Sequence, residues 1–263
     1  MLLEIKNLTI EFHDHDRPER VVEDVSFSLD KGEILGIVGE SGSGKSMTAL
    51  AVAGLLPRKK MEKSGEILFE EKNLLTLPRH DLRGLQGDEI SVIFQEPMTA
   101  LNPTMKIGKQ VEEALLLHRH MTDEERKAKV MEWLEKVELD DSERVYEAYP
   151  HELSGGMRQR VMIAAAMVSD PQILIADEPT TALDVTVQSQ IIKLLLKINK
   201  DSGVSILFIS HDLSLIKQIT HNVIVMQKGR IVEQGDTDEI FLHPKEEYTK
   251  KLISSIPSVD LRK

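Results

Sequence analysis

The chain has 263 residues, 41% hydrophobic and 29% charged, a balance suited to a globular protein with a large buried core. Its formal net charge of -11 argues against binding nucleic acid through a general basic surface. With no cysteine in the chain, disulfides, thiolate zinc sites and cysteine-ligated clusters are excluded, and the composition suits a reducing cytosol.

In chain order, "LLEIKNLTIEF" and "VVEDVSFSL" alternate apolar and polar residues, which predicts half-buried antiparallel strands. The opening segment has neither the basic start nor the apolar core of a signal peptide. No apolar run approaches the roughly 18 residues of a membrane span. "EILGIVGE" predicts a short buried strand running into a glycine-rich loop, and "KSMTALAVAGLL" the helix after it. "GEILFEEKNL" and "EISVIFQE" are again strand-like. From Pro97 to about Asp170 the pattern turns helical. Thr122 and Glu125 have capping-box spacing before a helix whose apolar stripe is Val130, Trp133, Leu134 and Val137. "MRQRVMIAAAMV" is a further helix, and strands return at "QILIADE", "SILFISH" and "NVIVMQKGRIVEQG". The whole predicts an α/β core interrupted by a helical insert.

Three stretches carry chemistry. "GESGSGKS" fits G-x-x-x-x-G-K-S/T through Gly39, Gly44, Lys45 and Ser46. Glycines let backbone N–H groups close around a phosphate, the lysine adds charge, and the serine hydroxyl suits Mg²⁺. Strand before and helix after make a bland glycine turn a poor alternative. "ILIADEP" delivers Asp177 and Glu178 from the end of an apolar strand, a pair suited to positioning a metal and to acting as a general base. Alone such a pair reads as a solvated turn; after a phosphate loop it gains weight. "LSGGMRQR" puts Ser154, Gly155 and Gly156 before a helix, a second amino end able to meet an anion.

"GESGSGKS", "FQEPMTALNP", "LSGGMRQRV", "ILIADEPTTALDV" and "FISHDL" stand in the order and spacing of an ATP-binding-cassette (ABC) ATPase. Over residues 1–240 the chain resembles that family. The fuller strings "YPHELSGGMRQRVMIAAAM" and "DEPTTALDVTVQ" resemble its peptide/nickel importer branch. The resemblance implies a P-loop NTPase (RecA-like) core with an antiparallel β subdomain, covering 1–95 and 171–240. A helical subdomain is inserted at 96–170, and a short extension follows at 241–263. It implies ATP held by Gly39, Glu40, Ser41, Gly42, Ser43, Gly44, Lys45, Ser46 and Met47, with Phe12 against adenine. Mg²⁺ falls to Ser46, Gln95 and Asp177, and catalysis to Glu178, Gln95 and His211. Leu153, Ser154, Gly155, Gly156 and Met157 form the signature that meets ATP held on a second subunit, and Asp184 reaches across the same dimer. Met157 replaces the glutamine of the commonest signature. The implied partners are a paired ATPase subunit, two membrane permeases and an external (extracellular or periplasmic) substrate-binding protein, with this chain peripheral on the cytoplasmic face of the membrane.

The resemblance implies import of peptides, nickel or metal–metallophore complexes, and the lack of a cysteine-bearing extension tilts the expectation slightly toward nickel or a metal–metallophore complex over oligopeptides. A non-transport ABC ATPase acting on nucleic acid or ribosomes is the alternative. It fits less well, since residues 47–153 hold no long heptad insertion, the chain has one cassette, and zinc cysteines are missing. A P-loop kinase or switch GTPase is contradicted by "LSGGMRQR" with "SHDL". "HDHD" at His13–Asp16 invites a metal reading, but a solvated hairpin loop accounts for it. His118, His120, His221 and His243 lack metal-ligand spacing.

Overall fold

The computed structural model describes residues 1–13, 18–56, 61–94, 100–181 and 183–256. They form two compact units, Met1–Leu77 with Leu207–Lys263, and Pro78–Ile206.

In the first unit, β1 (Leu3–Phe12) pairs antiparallel with β2 (Glu19–Leu29) and with β4 (Met61–Phe69). Alternation drives this sheet: Leu3, Ile5, Leu8, Ile10, Val22, Val25, Leu29 and Ile67 are each no more than 1% exposed, while intervening polar residues face water. The segment "GEILFEEKNL" divides, because Glu70 and Glu71 both take positive φ and turn the chain into β5 (Lys72–Asn73).

A second sheet of this unit holds β3 (Ile34–Val38), fully buried and parallel to β9 (Asn222–Gln227). β9 pairs antiparallel with β10 (Arg230–Asp236) through a tight turn at Lys228 and Gly229. The end of β8 (Ser205–Ile209) runs beside β3, where the Ser210 N–H donates to the Ile37 carbonyl at 3.2 Å. Helices α1 (Lys45–Val52), α9 (Leu213–Ile219), α10 (Thr237–Leu242) and α11 (Glu247–Ser254) complete it. α1 stops before its apolar run does: Gly54 adopts a φ of 68° and breaks the helix.

In the second unit, β6 (Ile90–Ile93) and β7 (Ile173–Asp177) are parallel, and the start of β8 is tied to the residue before β7 by a Ser205 N–H to Gln172 carbonyl bond of 3.0 Å. Around them lie α2 (Arg79–Leu85), α3 (Ile107–Val111), α4 (Glu113–His118), α5 (Asp123–Lys136), α6 (Ser142–Glu147), α7 (Gly155–Met167) and α8 (Val185–Ser202). The expected capping box is present: Thr122 Oγ1 accepts from the Glu125 N–H at 3.2 Å and the Glu125 carboxylate from the Thr122 N–H at 2.7 Å. Val130, Trp133, Leu134 and Val137 are all buried.

Candidate active site

The loop from Gly39 to Gly44 connects β3 to α1 and is held within its own unit. Glycine is demanded twice. A Cβ on Gly39 would meet the Met226 carbonyl oxygen at 2.2 Å, and one on Gly44 the Val21 carbonyl oxygen at 2.7 Å, both at positive φ. The turn between β9 and β10 braces the loop, because the Gly229 N–H donates to the Ser43 carbonyl at 3.0 Å while the Gly229 carbonyl accepts from the Glu23 N–H at 2.8 Å.

Lys45 is 5% exposed, and its ammonium donates to the carbonyls of Gly39 at 2.8 Å and Glu40 at 3.0 Å. A buried ammonium set among backbone dipoles is a strong anion attractor. Ser43 is buried, and among the described residues its hydroxyl oxygen has no hydrogen-bond partner, a group a phosphate oxygen would satisfy. Gly44 begins α1 with no side-chain cap, so the positive end of the helix dipole faces the loop. Ser41, Gly42 and Ser46 are exposed and Met47 is half-buried. Phe12 ends β1, half-buried, opposite Glu19 and Met61.

After β8, the Ser210 hydroxyl accepts from the Asp212 N–H at 2.9 Å. Asp212 Oδ1 in turn caps α9 through the N–H groups of Ser214 at 2.8 Å and Leu215 at 3.4 Å. His211, between these two braces, is exposed.

In the second unit, β7 ends at Asp177, half-buried. Glu178 follows with a φ of 48° and a half-buried carboxylate whose Oε2 accepts from the Thr181 hydroxyl at 3.0 Å. A left-handed glutamate is sparsely populated backbone, held here by that hydroxyl and by the Thr181 N–H to Glu178 carbonyl bond of 3.2 Å. Asp184 caps α8, its Oδ1 accepting from the N–H groups of Thr186 and Val187 at 3.0 Å each, and Val185 beside it is 82% exposed.

The signature starts α7. Leu153 is buried, Ser154 and Gly155 are exposed, and Met157 is half-buried. Ser154 Oγ accepts from the Met157 N–H at 3.3 Å. Gly156 is needed for close approach, since a Cβ there would lie 2.9 Å from Val187 Cγ1, whereas one on Gly155 would meet, among the described residues, nothing nearer than 3.9 Å. Gln95 lies outside the described residues.

Sequence reasoning passed over Thr181, Ser210 and Asp212. The last two had a readable signal, a serine and an aspartate flanking one residue at a strand-to-helix junction. In the "HDHD" segment, only His13 is described. Its Nε2 lies 3.3 Å from carboxylate oxygens of both Glu11 and Glu62. Glu11, half-buried, also accepts from Arg20 Nε at 2.8 Å, so these groups form a polar cluster.

A glycine-locked loop around a buried lysine, between an apolar strand and a helix, defines a P-loop nucleotide hydrolase. The family model described as "ABC transporter" matches residues 22–181. The chain is 48% identical over 260 residues to the oligopeptide transport ATP-binding protein OppD of Bacillus subtilis (strain 168), covering 98% of this chain and 73% of that protein. It is 46% identical over 260 residues to the dipeptide transport ATP-binding protein DppD of Lactococcus lactis subsp. cremoris (strain MG1363), covering 98% and 74%. Among solved structures, the dimeric post-hydrolysis state of the ATP-binding cassette MJ0796 bound to ADP and Pi superposes with a TM-score of 0.80 at 28% identity, covering 90% of this chain and 99% of that one. The structure of cbiO1 from Clostridium perfringens, part of the ABC transporter complex cbiONQ, gives 0.77 at 27% identity, covering 97% and 96%. The chain belongs to the ABC transporter family and is an ATPase of that class. No helix among the described residues is long and apolar enough to cross a membrane.

Proposed function

We propose that this chain is the ATP-hydrolysing subunit of an importer for peptides, working as one of a pair of cassettes beneath separate membrane subunits and fed by an external binding protein. The names of the relatives support the peptide half of the sequence-based expectation over nickel. The observation that carries the ATPase mechanism is the buried Lys45, its ammonium held by the carbonyls of Gly39 and Glu40 within the glycine-locked loop.

In this reading the loop from Gly39 to Met47 binds the phosphates of ATP, Lys45 holding the β- and γ-phosphates, and Phe12 packs against the adenine. Ser46, Asp177 and Gln95 are a set of hard oxygen donors that fits Mg²⁺, and when bound this ion supplies positive charge to the β- and γ-phosphate oxygens. Glu178 takes the proton of the attacking water at its carboxylate. Its locked backbone and the Thr181 hydroxyl aim that carboxylate. His211 contacts the γ-phosphate, and Ser154, Gly155 and Gly156 donate to the phosphate held by the paired subunit. Asp184 contributes to the same interface while capping its own helix.

The membrane partner docks on the helical segment, Pro97 to Leu116. Residues 95–99 lie outside the described set, but Met105, Leu116 and the adjoining Leu117 are large apolar residues 39%, 51% and 73% exposed, a surface suited to an apolar loop.

The test is ATPase activity of the complete transporter in vesicles. Stimulation by a binding protein loaded with dipeptides or oligopeptides is expected; stimulation by a nickel–metallophore complex and not by peptides would overturn the substrate assignment.

A further inference from the structure

One residue of the tail touches the phosphate loop. The N–H of Glu40 donates to the hydroxyl oxygen of Tyr248, on the first turn of α11, at 3.1 Å across 208 residues of chain. The carbonyl of that same Glu40 accepts from the Lys45 ammonium at 3.0 Å and from the Ser43 N–H at 3.2 Å. Tyr248 and Lys45 therefore grip one residue by its two backbone groups, where the chain leaves β3 and begins to fold around the anion site.

The helix that presents Tyr248 is itself anchored. Both oxygens of the Glu233 carboxylate, on β10, accept from backbone just before α11: Oε1 from the Lys245 N–H at 2.8 Å and Oε2 from the Glu246 N–H at 3.2 Å. Thr249, next to Tyr248, is fully buried. β10 is the second strand of the hairpin whose turn donates to the Ser43 carbonyl. One hairpin thus sets both the far end of the loop and the helix that holds its near end. Burial pushes the Tyr248 phenol up from its ordinary value, so the hydroxyl stays protonated and neutral near pH 7 beside an anion site.

We propose that Tyr248 is a positioning residue of the phosphate loop: its hydroxyl fixes the Glu40 peptide so that the Gly39 and Glu40 carbonyls hold the Lys45 ammonium ready for nucleotide. This rests on the reading of the loop as the ATP phosphate site. Tyr248 acts on Lys45 through the backbone and takes no part in bond breaking. Its loss therefore weakens nucleotide binding and leaves turnover at saturation near normal.

The experiment uses the full chain with Tyr248→Phe, which keeps the ring and removes only the hydroxyl. ATP affinity by calorimetry should fall roughly two- to tenfold, the worth of one backbone hydrogen bond. KM for ATP should rise by the same factor while kcat holds, and amide hydrogen exchange in the peptide containing Glu40 should quicken. A structural tyrosine alone would lower the melting temperature without changing either quantity. Unchanged affinity and unchanged exchange at Glu40, with Lys45→Ala losing nucleotide in parallel, would overturn the proposal. If Lys45→Ala also bound ATP normally, the reading of the loop would fall and this proposal with it.

Discussion

The amino ends of α1 and α7 are both reached through serine and glycine, and they are built differently. At α1, glycines are demanded by carbonyls 2.2 and 2.7 Å from where a Cβ would sit, and the lysine is buried. Every brace described there comes from the same unit. At α7, Ser154 and Gly155 are exposed, Gly155 faces nothing closer than 3.9 Å among the described residues, and Gly156 is packed against Val187. The first is a cradle with a cation in it. The second offers a hydroxyl, N–H groups and a helix dipole, with no cation among Leu153 to Met157 and an open flank. An anion meets it with useful strength only when something else has already brought the charge.

That contrast can be broken in three places. The largest effect belongs to Glu178→Gln, which keeps the shape and removes the base. Hydrolysis should fall by roughly two to four orders of magnitude, while ATP binding persists and an ATP-bound dimer accumulates on size exclusion. Near-normal turnover would remove Glu178 from its role.

Next, Lys45→Ala removes the cation from the cradle. Nucleotide affinity should drop by roughly ten- to a hundredfold, the range for a hydrogen bond to a charged group. Calorimetry giving unchanged affinity would mean the loop does not hold phosphate.

Ser154→Arg should leave the chain's own nucleotide affinity almost unchanged, the smallest binding effect of the three. A bulky cation at the open flank should block closure, so hydrolysis and ATP-driven association fall together. Mixing Ser154→Arg with Lys45→Ala then sharpens the comparison. In a head-to-tail pair both lesions fall in one site and the other is intact, so each mixed dimer should regain about half the wild-type activity if one intact site turns over alone. Trapping of nucleotide at a single site checks that condition. No recovery, with mixed dimers formed and single-site turnover established, would mean that each site is built within one chain.

Much of this was readable beforehand, for definite reasons. Alternation in β1 and β2, interrupted where Asn7 and Asp24 take positive φ, reports a sheet with one buried face, and the apolar runs "ILGIV" and "ILIA" report strands buried on both faces. Thr122 and Glu125 announce a helix start because capping is local. What escaped is long-range or conformational. Nothing near Glu178 in sequence marks it as left-handed, since the strain is sustained by its surroundings. The helix of Arg79–Leu85 is short and mostly polar, buries only Leu82, and so gives no apolar stripe. The Tyr248 contact joins residues 208 apart, a separation at which no pattern of spacing operates. Within the motifs, residue type was legible and bracing was not: "GKS" names the lysine, while the carbonyls that point its ammonium depend on the folded loop.

Trp133 is the chain's single tryptophan. It is 2% exposed on α5, with the Lys136 ammonium 4.6 Å from the centre of its ring. Excited at wavelengths where tyrosine no longer absorbs, the protein therefore carries one native fluorophore, and it resides wholly in the unit spanning Pro78–Ile206. An emission-monitored melt follows the unfolding of that unit, whereas far-ultraviolet circular dichroism registers helices and strands throughout. Where the two curves coincide the molecule melts as one cooperative system; where they part, the gap measures directly how independently its two units hold together.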